Sequence, residues 1–170
     1  LPILTDVDGV LLKWEPAFSS WMASKGYTVK TPNVYKQSTR YGLEQDLADD
    51  LVERFNESAW MGYLKPMDGS VEYVDRLGRR GFTFECLTSQ SEDVYAGKIR
   101  RYNLEQVFGD EVITDCTCIA TGADKDEHLK KWEPGHWWIE DKPANCIAGL
   151  KAGHKPILIT HHYNKDFEHE

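Results

Sequence analysis

Short apolar runs, each bounded by turn or acidic residues, recur along the chain. Bounded runs of about four to eight apolar residues are typical of buried β-strands. We therefore predict five strands, and we expect the adjacent Trp137 and Trp138 to lie in the core. The strand candidates are Pro2–Asp6, Gly81–Leu87, Glu111–Thr114, His136–Ile139 and Lys155–Thr160.

Helical patterns lie between these strands. In each pattern apolar residues recur about three or four positions apart, which brings them onto one face of a helix. Because strands and helices alternate, the chain is predicted to be α/β, with a Rossmann-like parallel sheet flanked by helices. The helical faces are Val71, Val74 and Leu77; Tyr95, Ile99, Tyr102 and Val107; Leu129 and Trp132; and Ile147 and Leu150.

One long stretch interrupts this alternation. Residues 14–65 contain no strand pattern, whereas residues 14–23 and the series Leu43, Leu47, Leu51 and Phe55 have helical spacing. We predict a small helical cap over residues 14–65, inserted after the first strand of a core that comprises residues 1–13 and 66–170. Ligands of open parallel sheets bind beyond the carboxyl ends of the strands, so such an insert would cover the site.

The net charge, the lengths of the apolar runs and the cysteine spacing exclude several classes of function. With 28 acidic and 20 basic residues among 170, the formal net charge is −8, which argues against a partner such as long nucleic acid. No segment approaches the ~18 consecutive apolar residues of a membrane span, so we expect no membrane partner. The four cysteines lack the spacing of zinc or redox motifs, and no leader opens the sequence, so we expect reduced thiols and a cytoplasmic protein.

Polar residues follow several of the predicted strands. In a parallel sheet they would converge at one edge, where neighbouring carboxylates need a compensating cation. Oxygen ligands of this kind favour Mg²⁺, and a lysine and hydroxyls beside such a metal suit a transferring phosphoryl group. The residues are Asp6 and Asp8 after the first strand, Thr88 and Ser89 after the second, Lys125 near a helix start, and Glu140 and Asp141 after the fourth strand.

These residues resemble the signatures of a known family. Asp6-Val7-Asp8-Gly9-Val10-Leu11 is similar to the first signature of the haloacid dehalogenase-like phosphohydrolase superfamily. Thr88 resembles the second signature, Lys125 the third, and Ile139-Glu140-Asp141 the fourth. The resemblance extends from Ile3 to about Ile159.

Within that superfamily the chain most resembles the 5′(3′)-deoxyribonucleotidase group. That group shares the size, the helical cap and an aromatic residue shortly after the first signature, here Trp14. The runs Leu64–Gly69 and Asp141–Pro143 also match. The sequence departs from the group at Glu140, where an aspartate is usual.

The resemblance implies a mechanism. Asp6 would attack phosphorus to form an aspartyl-phosphate, and Asp8 would protonate the leaving oxygen and then activate water. Mg²⁺ would be held by Asp6, the Asp8 carbonyl and Asp141, with Glu140 bound directly or through water. Because dehalogenases of the superfamily lack the acid at Asp8, carbon–halogen chemistry is disfavoured.

The remaining site residues would bind the phosphoryl group. Thr88, aided by Ser89, would donate hydrogen bonds to its oxygens, and Lys125 would neutralise its charge. Gly9 and Val10 would let the loop backbone approach it closely. From the residues alone, Lys130 or Lys131 could replace Lys125. Trp14 is the first candidate for stacking on a base, although the cap aromatics, namely Trp14, Phe18, Trp21, Tyr35, Trp60 and Tyr63, could instead pack together.

The expected function is thus a Mg²⁺-dependent phosphomonoesterase for a small-molecule substrate, with (deoxy)nucleoside monophosphates favoured. A phosphatase for another small phosphomonoester, such as a sugar phosphate, is the alternative within enzymes. A binding module with the same fold but no turnover is the alternative outside them. Arg40 and Lys36 would either contact the substrate or lie on the cap surface. His161 and His162 are expected to be loop residues rather than metal ligands.

Overall fold

Five parallel strands form the central sheet, in the spatial order β3-β2-β1-β4-β5. A computed structural model describes residues 2–169 of the chain, so the ends of the predicted core at positions 1 and 170 lie outside the described residues. The strands are β1 (Ile3–Thr5), β2 (Phe84–Ser89), β3 (Ile113–Ile119), β4 (Trp137–Glu140) and β5 (Lys155–Leu158). The predicted parallel α/β architecture is confirmed.

Helices cover the sheet and fill the long connection after β1. Local sequence signals explain where two helices begin. The Asp93 carboxylate caps α5 by accepting a hydrogen bond from the Ala96 amide at 2.8 Å, and Pro143 occupies the first turn of α7. The helices are α1 (Trp14–Ser24), α2 (Gln37–Tyr41), α3 (Gln45–Asn56), α4 (Ser70–Gly78), α5 (Val94–Phe108), α6 (Asp126–Leu129) and α7 (Pro143–Lys151), with a 3₁₀ turn over Ala59–Gly62.

The two faces of the sheet bury separate apolar clusters, because side chains alternate along each strand. In β1, Ile3 belongs to a large cluster with α1 and α3–α5, whereas Leu4 belongs to a smaller cluster with Leu129 and Trp138. Burial on both faces explains why the strands read as continuous apolar runs.

Trp137 corrects an expectation from the sequence. Trp138 is fully buried as predicted, but Trp137 is 48% exposed. Its register partner is Lys155 on the edge strand β5, and the Lys155 ammonium lies 5.5 Å from the ring centroid. The exposed ring is therefore partnered by a lysine rather than by the core.

The strand β3 is longer than its sequence pattern predicts, since it continues beyond Thr114 to Ile119. It is an edge strand, so its polar positions can remain partly exposed while its backbone pairs with β2. Its hydrogen bonds with β2, rather than an apolar run, define this strand.

Between β1 and α4 the structure has α1–α3 and the 3₁₀ turn, which agrees with the helical character predicted there. The chain enters and leaves this insert through adjacent backbone segments. The Lys13 amide donates to the Lys65 carbonyl and the Met67 amide to the Leu11 carbonyl, both at 2.8 Å. The division into a core and a cap at residues 14–65 stays a prediction. For brevity we call residues 14–65 the cap.

Within residues 2–169, the helices are too short or too polar to cross a lipid bilayer.

Candidate active site

Three acidic side chains meet at the carboxyl ends of the two central strands β1 and β4. Asp6 follows β1, Glu140 ends β4 and Asp141 comes next, and β1 pairs directly with β4. One carboxylate oxygen of each residue lies within 4.8 Å of the others. All three residues are buried. We call Asp6, Glu140 and Asp141, together with Lys125, the carboxylate cluster.

Lys125 provides the cation of this cluster. Its buried ammonium lies 2.8 Å from Asp6 Oδ2 and 2.9 Å from Glu140 Oε2. The residue immediately precedes the short helix α6, which fixes its approach. The alternative Lys130 is exposed and pairs with Glu127 at 2.5 Å, and Lys131 is exposed as well. The structure therefore brings Lys125 to the carboxylates.

The carboxylate of Glu140 is fully engaged with donors of the protein. Oε2 accepts from Lys125 Nζ and from Asn145 Nδ2, each at 2.9 Å. Oε1 accepts from the backbone amides of Asp141 at 2.9 Å and Lys142 at 3.0 Å. These four donors orient Glu140 toward the protein, which leaves Asp6 and Asp141 as the carboxylates better placed to bind a metal.

The ionisation of the cluster reflects its excess of negative charge. Burial raises the pKa of the Asp6 carboxyl well above its usual range, Glu140 raises it further, and Lys125 opposes the shift. Burial and hydrogen bonding with Glu140 raise the pKa of Asp141 to about 8. Burial would raise the pKa of Glu140 too, but the charge of Lys125 and the hydrogen bonds with Asp141, Lys125 and Asp6 together outweigh it, and the pKa of Glu140 falls to about 2. One ammonium is therefore not enough to keep three carboxylates ionised at neutral pH.

Asp8 lies in a different environment from Asp6. Its Oδ2 accepts a hydrogen bond from Arg100 Nη2 at 2.6 Å, and the Arg100 side chain is fully buried on α5. Asp8 Oδ1 is buried and has no hydrogen-bond partner among the described residues. Asp8 is thus paired with a guanidinium, whereas Asp6 is paired with the Lys125 ammonium.

The loop after β1 folds tightly against Asp141. Gly9 has φ +77°, and a Cβ at this position would overlap Asp141 Oδ2, so both conformation and space require glycine. The Gly9 amide donates to the Leu12 carbonyl at 2.9 Å, and the Val10 amide to the Val7 carbonyl at 3.3 Å. Because both amides are engaged within the loop, direct binding of substrate by Gly9 and Val10 stays a prediction that these contacts do not support.

Thr88 and Ser89 occupy the carboxyl end of β2, beside β1. Thr88 is buried, and its register places it one strand away from Asp6. The Ser89 hydroxyl donates to the Ala123 carbonyl at 2.8 Å, in the loop that leads to Lys125. In this structure Ser89 therefore supports the Lys125 loop, while the binding of phosphoryl oxygens by Thr88 stays a prediction.

Trp14 packs within the cap. Its ring stacks on Phe18 with centroids 4.6 Å apart and meets Phe55 edge-on at 5.7 Å. Its indole N–H donates to Asn56 Oδ1 at 2.8 Å. These contacts do not support the predicted stacking of Trp14 on a substrate, because neighbours in the cap already use one ring face and the polar edge.

Tyr35 is a cap aromatic that contacts Tyr163, whose hydroxyl donates to Asp141 of the carboxylate cluster. Desolvation of its hydroxyl, together with the negative charges of Asp141 and Asp6, raises the pKa of Tyr35. Its ring meets the Tyr163 ring with centroids 5.2 Å apart, yet 55% of the residue is exposed. The accessible ring of Tyr35 therefore lies at the rim of the site.

The segment after β5 also belongs to the site. The Tyr163 hydroxyl donates a short hydrogen bond to Asp141 Oδ2, and Asn164 Nδ2 donates to the Asp141 carbonyl at 2.7 Å. His161 Nε2 lies 2.6 Å from the Gly9 carbonyl oxygen, and His162 lies 3.4 Å from Glu15 of the cap. The two histidines contact a carbonyl and a carboxylate, and neither belongs to the carboxylate cluster.

Sequence reasoning missed Arg100 and the role of residues 161–164. The signal for the latter was available, since this segment follows a parallel strand and must emerge at the ligand-binding edge of the sheet. For Arg100 the available signal was its spacing of four residues from both Ala96 and Leu104, which places it on the buried face of α5. The sequence also left open the contact of Arg40, which lies 3.3 Å from Glu15 in the structure.

Comparisons with known proteins define what the chain is similar to. No protein-family model matches it. Among curated proteins it is 25% identical over 167 residues to an uncharacterised 32.4 kDa protein of Enterobacteria phage T4, from the Gp30-rIII intergenic region. The match covers 91% of this chain but 59% of the phage protein, so the chain spans less than two thirds of that relative.

Solved structures give the fold. A haloacid dehalogenase-like family hydrolase of Streptococcus pneumoniae superimposes with a TM-score of 0.66 at 13% identity, covering 94% of this chain and 84% of that one. CbbY of Rhodobacter sphaeroides, solved in complex with phosphate, gives a TM-score of 0.62 at 17% identity, covering 98% and 89%. The chain therefore has the fold of the haloacid dehalogenase-like hydrolases.

Proposed function

We propose that this protein is a phosphomonoesterase that works through an aspartyl-phosphate on Asp6. The observation that carries the proposal is the contact of Lys125 with both Asp6 and Glu140 at 2.8 and 2.9 Å, beside Asp141. A carboxylate nucleophile needs a nearby cation to approach an anionic phosphoryl group, and this cluster supplies one.

The residues of the chain divide the reaction into two steps. In the first, an Asp6 oxygen bonds to phosphorus, the bond from phosphorus to the leaving oxygen breaks, and protonated Asp8 gives its proton to that oxygen. In the second, Asp8 takes a proton from water, the water oxygen bonds to phosphorus, and the Asp6–phosphorus bond breaks. Asp6 and Asp8 then return to their starting states with release of phosphate.

The cluster fits a divalent cation. Its carboxylate oxygens lie within 4.8 Å of one another, and burial together with the neighbouring Glu140 raises the pKa of Asp141 to about 8, so a bound cation would stabilise the ionised form. We assign Asp6, Asp141 and the Asp8 carbonyl to the metal, with Glu140 orienting the cluster or binding through water. Bound Mg²⁺ would neutralise the phosphoryl oxygens and lower the barrier to attack.

We propose a small phosphomonoester as substrate and favour nucleoside monophosphates. Support comes from the exposed ring of Tyr35 at the rim of the site, since a flat apolar face can stack on a base. A sugar phosphate is the second candidate, and the engagement of Trp14 by Phe18 and Asn56 favours it, because this removes one of the expected stacking residues. Four free thiols suit a reducing compartment, and we propose a cytoplasmic location.

The test is phosphate release from a panel of nucleoside monophosphates and sugar phosphates, with Mg²⁺ and with a chelator. We expect turnover that the chelator and Asp6→Asn abolish, and that Asp115→Asn, on an exposed position of β3, leaves intact. A folded protein that hydrolyses none of these esters with Mg²⁺ would contradict the proposal and favour a binding module of the same fold.

A further inference from the structure

Arg100 is fully buried and contacts Asp8 of the candidate active site. It lies on α5, and its guanidinium has one carboxylate partner among residues 2–169, namely Asp8. Burying a guanidinium away from water is unfavourable unless its charge is compensated, so a chain that needed only packing here would do as well with an apolar side chain. The position of Arg100 is therefore informative about Asp8.

The contact between the two residues engages one oxygen of Asp8 and spares the other. Arg100 Nη2 donates to Oδ2 at 2.6 Å, whereas Arg100 Nη1 and Asp8 Oδ1 are both buried without a partner. A bidentate pair would have satisfied both atoms. A single charge-assisted hydrogen bond therefore fixes the Asp8 carboxylate, while 24% of that side chain stays exposed.

A hydrogen-bonded chain holds Arg100 in place and ends in the cap. Arg100 Nε donates to Gln90 Oε1 at 2.7 Å, and Gln90 Nε2 donates to the Asn56 carbonyl at 2.8 Å. Asn56 Nδ2 in turn donates to the Gln90 carbonyl at 3.1 Å, and its Oδ1 accepts from Trp14. Gln90 is fully buried, so these bonds are sheltered from water.

We propose that Arg100 is a positioning residue that anchors Asp8 through Oδ2 and so holds the Asp8 carboxylate where it exchanges the proton with the leaving group and with water. Gln90 and Asn56 couple this anchor to the seating of the cap. The inference rests on the proposed phosphomonoesterase function, and it adds to that function the means by which Asp8 is aimed.

The experiment compares Arg100→Met and Arg100→Lys with Arg101→Met. Arg101 is the matched control, because it lies next to Arg100 on α5, is partly exposed and pairs with Glu105 at 2.7 Å rather than with Asp8. Two substrates are used with Mg²⁺: p-nitrophenyl phosphate, whose leaving group needs little protonation, and glycerol 2-phosphate, whose alkoxide needs a proton. The same variants are made in an Asp8→Asn background, and thermal unfolding checks that each is folded.

We expect Arg100→Met to lower kcat about tenfold on p-nitrophenyl phosphate and about 10²-fold on glycerol 2-phosphate, because poor general-acid catalysis is felt most by a basic leaving group. Arg100→Lys should show a smaller loss of kcat that depends on the leaving group in the same way. If Arg100→Met does not fold, the test uses Arg100→Lys instead. In the Asp8→Asn background the Arg100 substitutions should add nothing. Arg101→Met should stay within about twofold of wild type.

Two results would overturn the inference, and they are distinguishable. Equal losses on both esters that also persist in the Asp8→Asn background would make Arg100 a core residue, with the phosphomonoesterase function intact. Failure of the folded wild-type protein to hydrolyse either ester would remove the proposed function and the inference with it.

Discussion

Asp6 and Asp8 are separated by one residue, yet the structure places them in opposite electrostatic environments. Asp6 joins two further carboxylates around one lysine, so its surroundings carry excess negative charge. Asp8 faces a single buried guanidinium, so its surroundings are balanced within the protein. On a continuing strand, residues two apart would point to the same face, but β1 ends at Thr5 and the chain turns at Gly9, so the two carboxylates can face different partners.

The difference between the surroundings of Asp6 and Asp8 shows which part of the site has its charges balanced by the protein alone. The carboxylate cluster needs another cation before all of its acids can ionise, which is the property of a site that binds a metal and an anionic substrate. The Asp8–Arg100 pair needs no added charge, which suits a group whose task is proton transfer at a fixed position. Pairs of acids in contrasting environments commonly take different catalytic roles.

The comparison of Asp6 with Asp8 is tested most sharply by replacing each aspartate with asparagine. Asp6→Asn should abolish phosphate release, by about 10⁴-fold or more, because the nucleophile is lost. Asp8→Asn should slow turnover by ~10²–10⁴-fold and leave Mg²⁺ binding nearly unchanged, because the proposed metal contact of Asp8 is its carbonyl. Turnover on one ester and Mg²⁺ titration by calorimetry measure both effects. Near-normal rates for Asp8→Asn would exclude it as the acid and base.

Removing the Lys125 ammonium or the Arg100 guanidinium should lower the free energy of unfolding by different amounts. Lys125→Met leaves three buried acids without a compensating cation and should lower the free energy of unfolding by about 3–5 kcal/mol in the absence of metal. Arg100→Met should lose less, because Asp8 keeps 24% of its side-chain surface in water. Chemical denaturation with and without Mg²⁺ checks this. Mg²⁺ should stabilise Lys125→Met more than Arg100→Met, and equal stabilisation of the two would contradict the comparison.

The cluster should also make stability depend on pH. Folding raises the pKa of Asp141 from 3.8 to about 8, so between these values the folded state holds more protons than the unfolded state. The metal-free protein should therefore lose stability as the pH rises from about 4 to about 8, by the order of a few kcal/mol. Asp141→Asn should flatten this slope, and Mg²⁺ should remove it. Parallel slopes in wild type and variant would show that Asp141 is not its source.

The smallest expected effect concerns the cap aromatics. Tyr35→Ala should lower kcat/KM about tenfold on a nucleoside monophosphate and little on glycerol 2-phosphate, if the exposed ring stacks on a base. Trp14→Ala should instead reduce stability by about 1–3 kcal/mol and affect both substrates alike, because its contacts are with Phe18, Phe55 and Asn56. A nucleotide-selective loss in Trp14→Ala would reverse this assignment.

Much of the fold was predictable because its signals are local. Runs such as that ending at Asp6 mark buried strands, and the helical spacing of residues 43–55 predicts α3. The predictions failed where contacts with an adjacent strand, rather than the local pattern of apolar residues, decided the structure. The strand β3 extends through polar residues because β2 pairs with it, and Trp137 is exposed because Lys155 lies beside it on the edge strand.

The sequence by itself determined the carboxylate cluster. Acids at the ends of parallel strands must converge at one edge of the sheet, whatever the details of packing. Only the tertiary structure decided the partners of those acids. Asp8 meets Arg100 across 92 residues, the donors around Glu140 turn it inward, and Tyr35 packs against Tyr163, whose hydroxyl donates to Asp141. Side-chain direction and long-range contacts depend on how the layers pack, and no local pattern of residues encodes them.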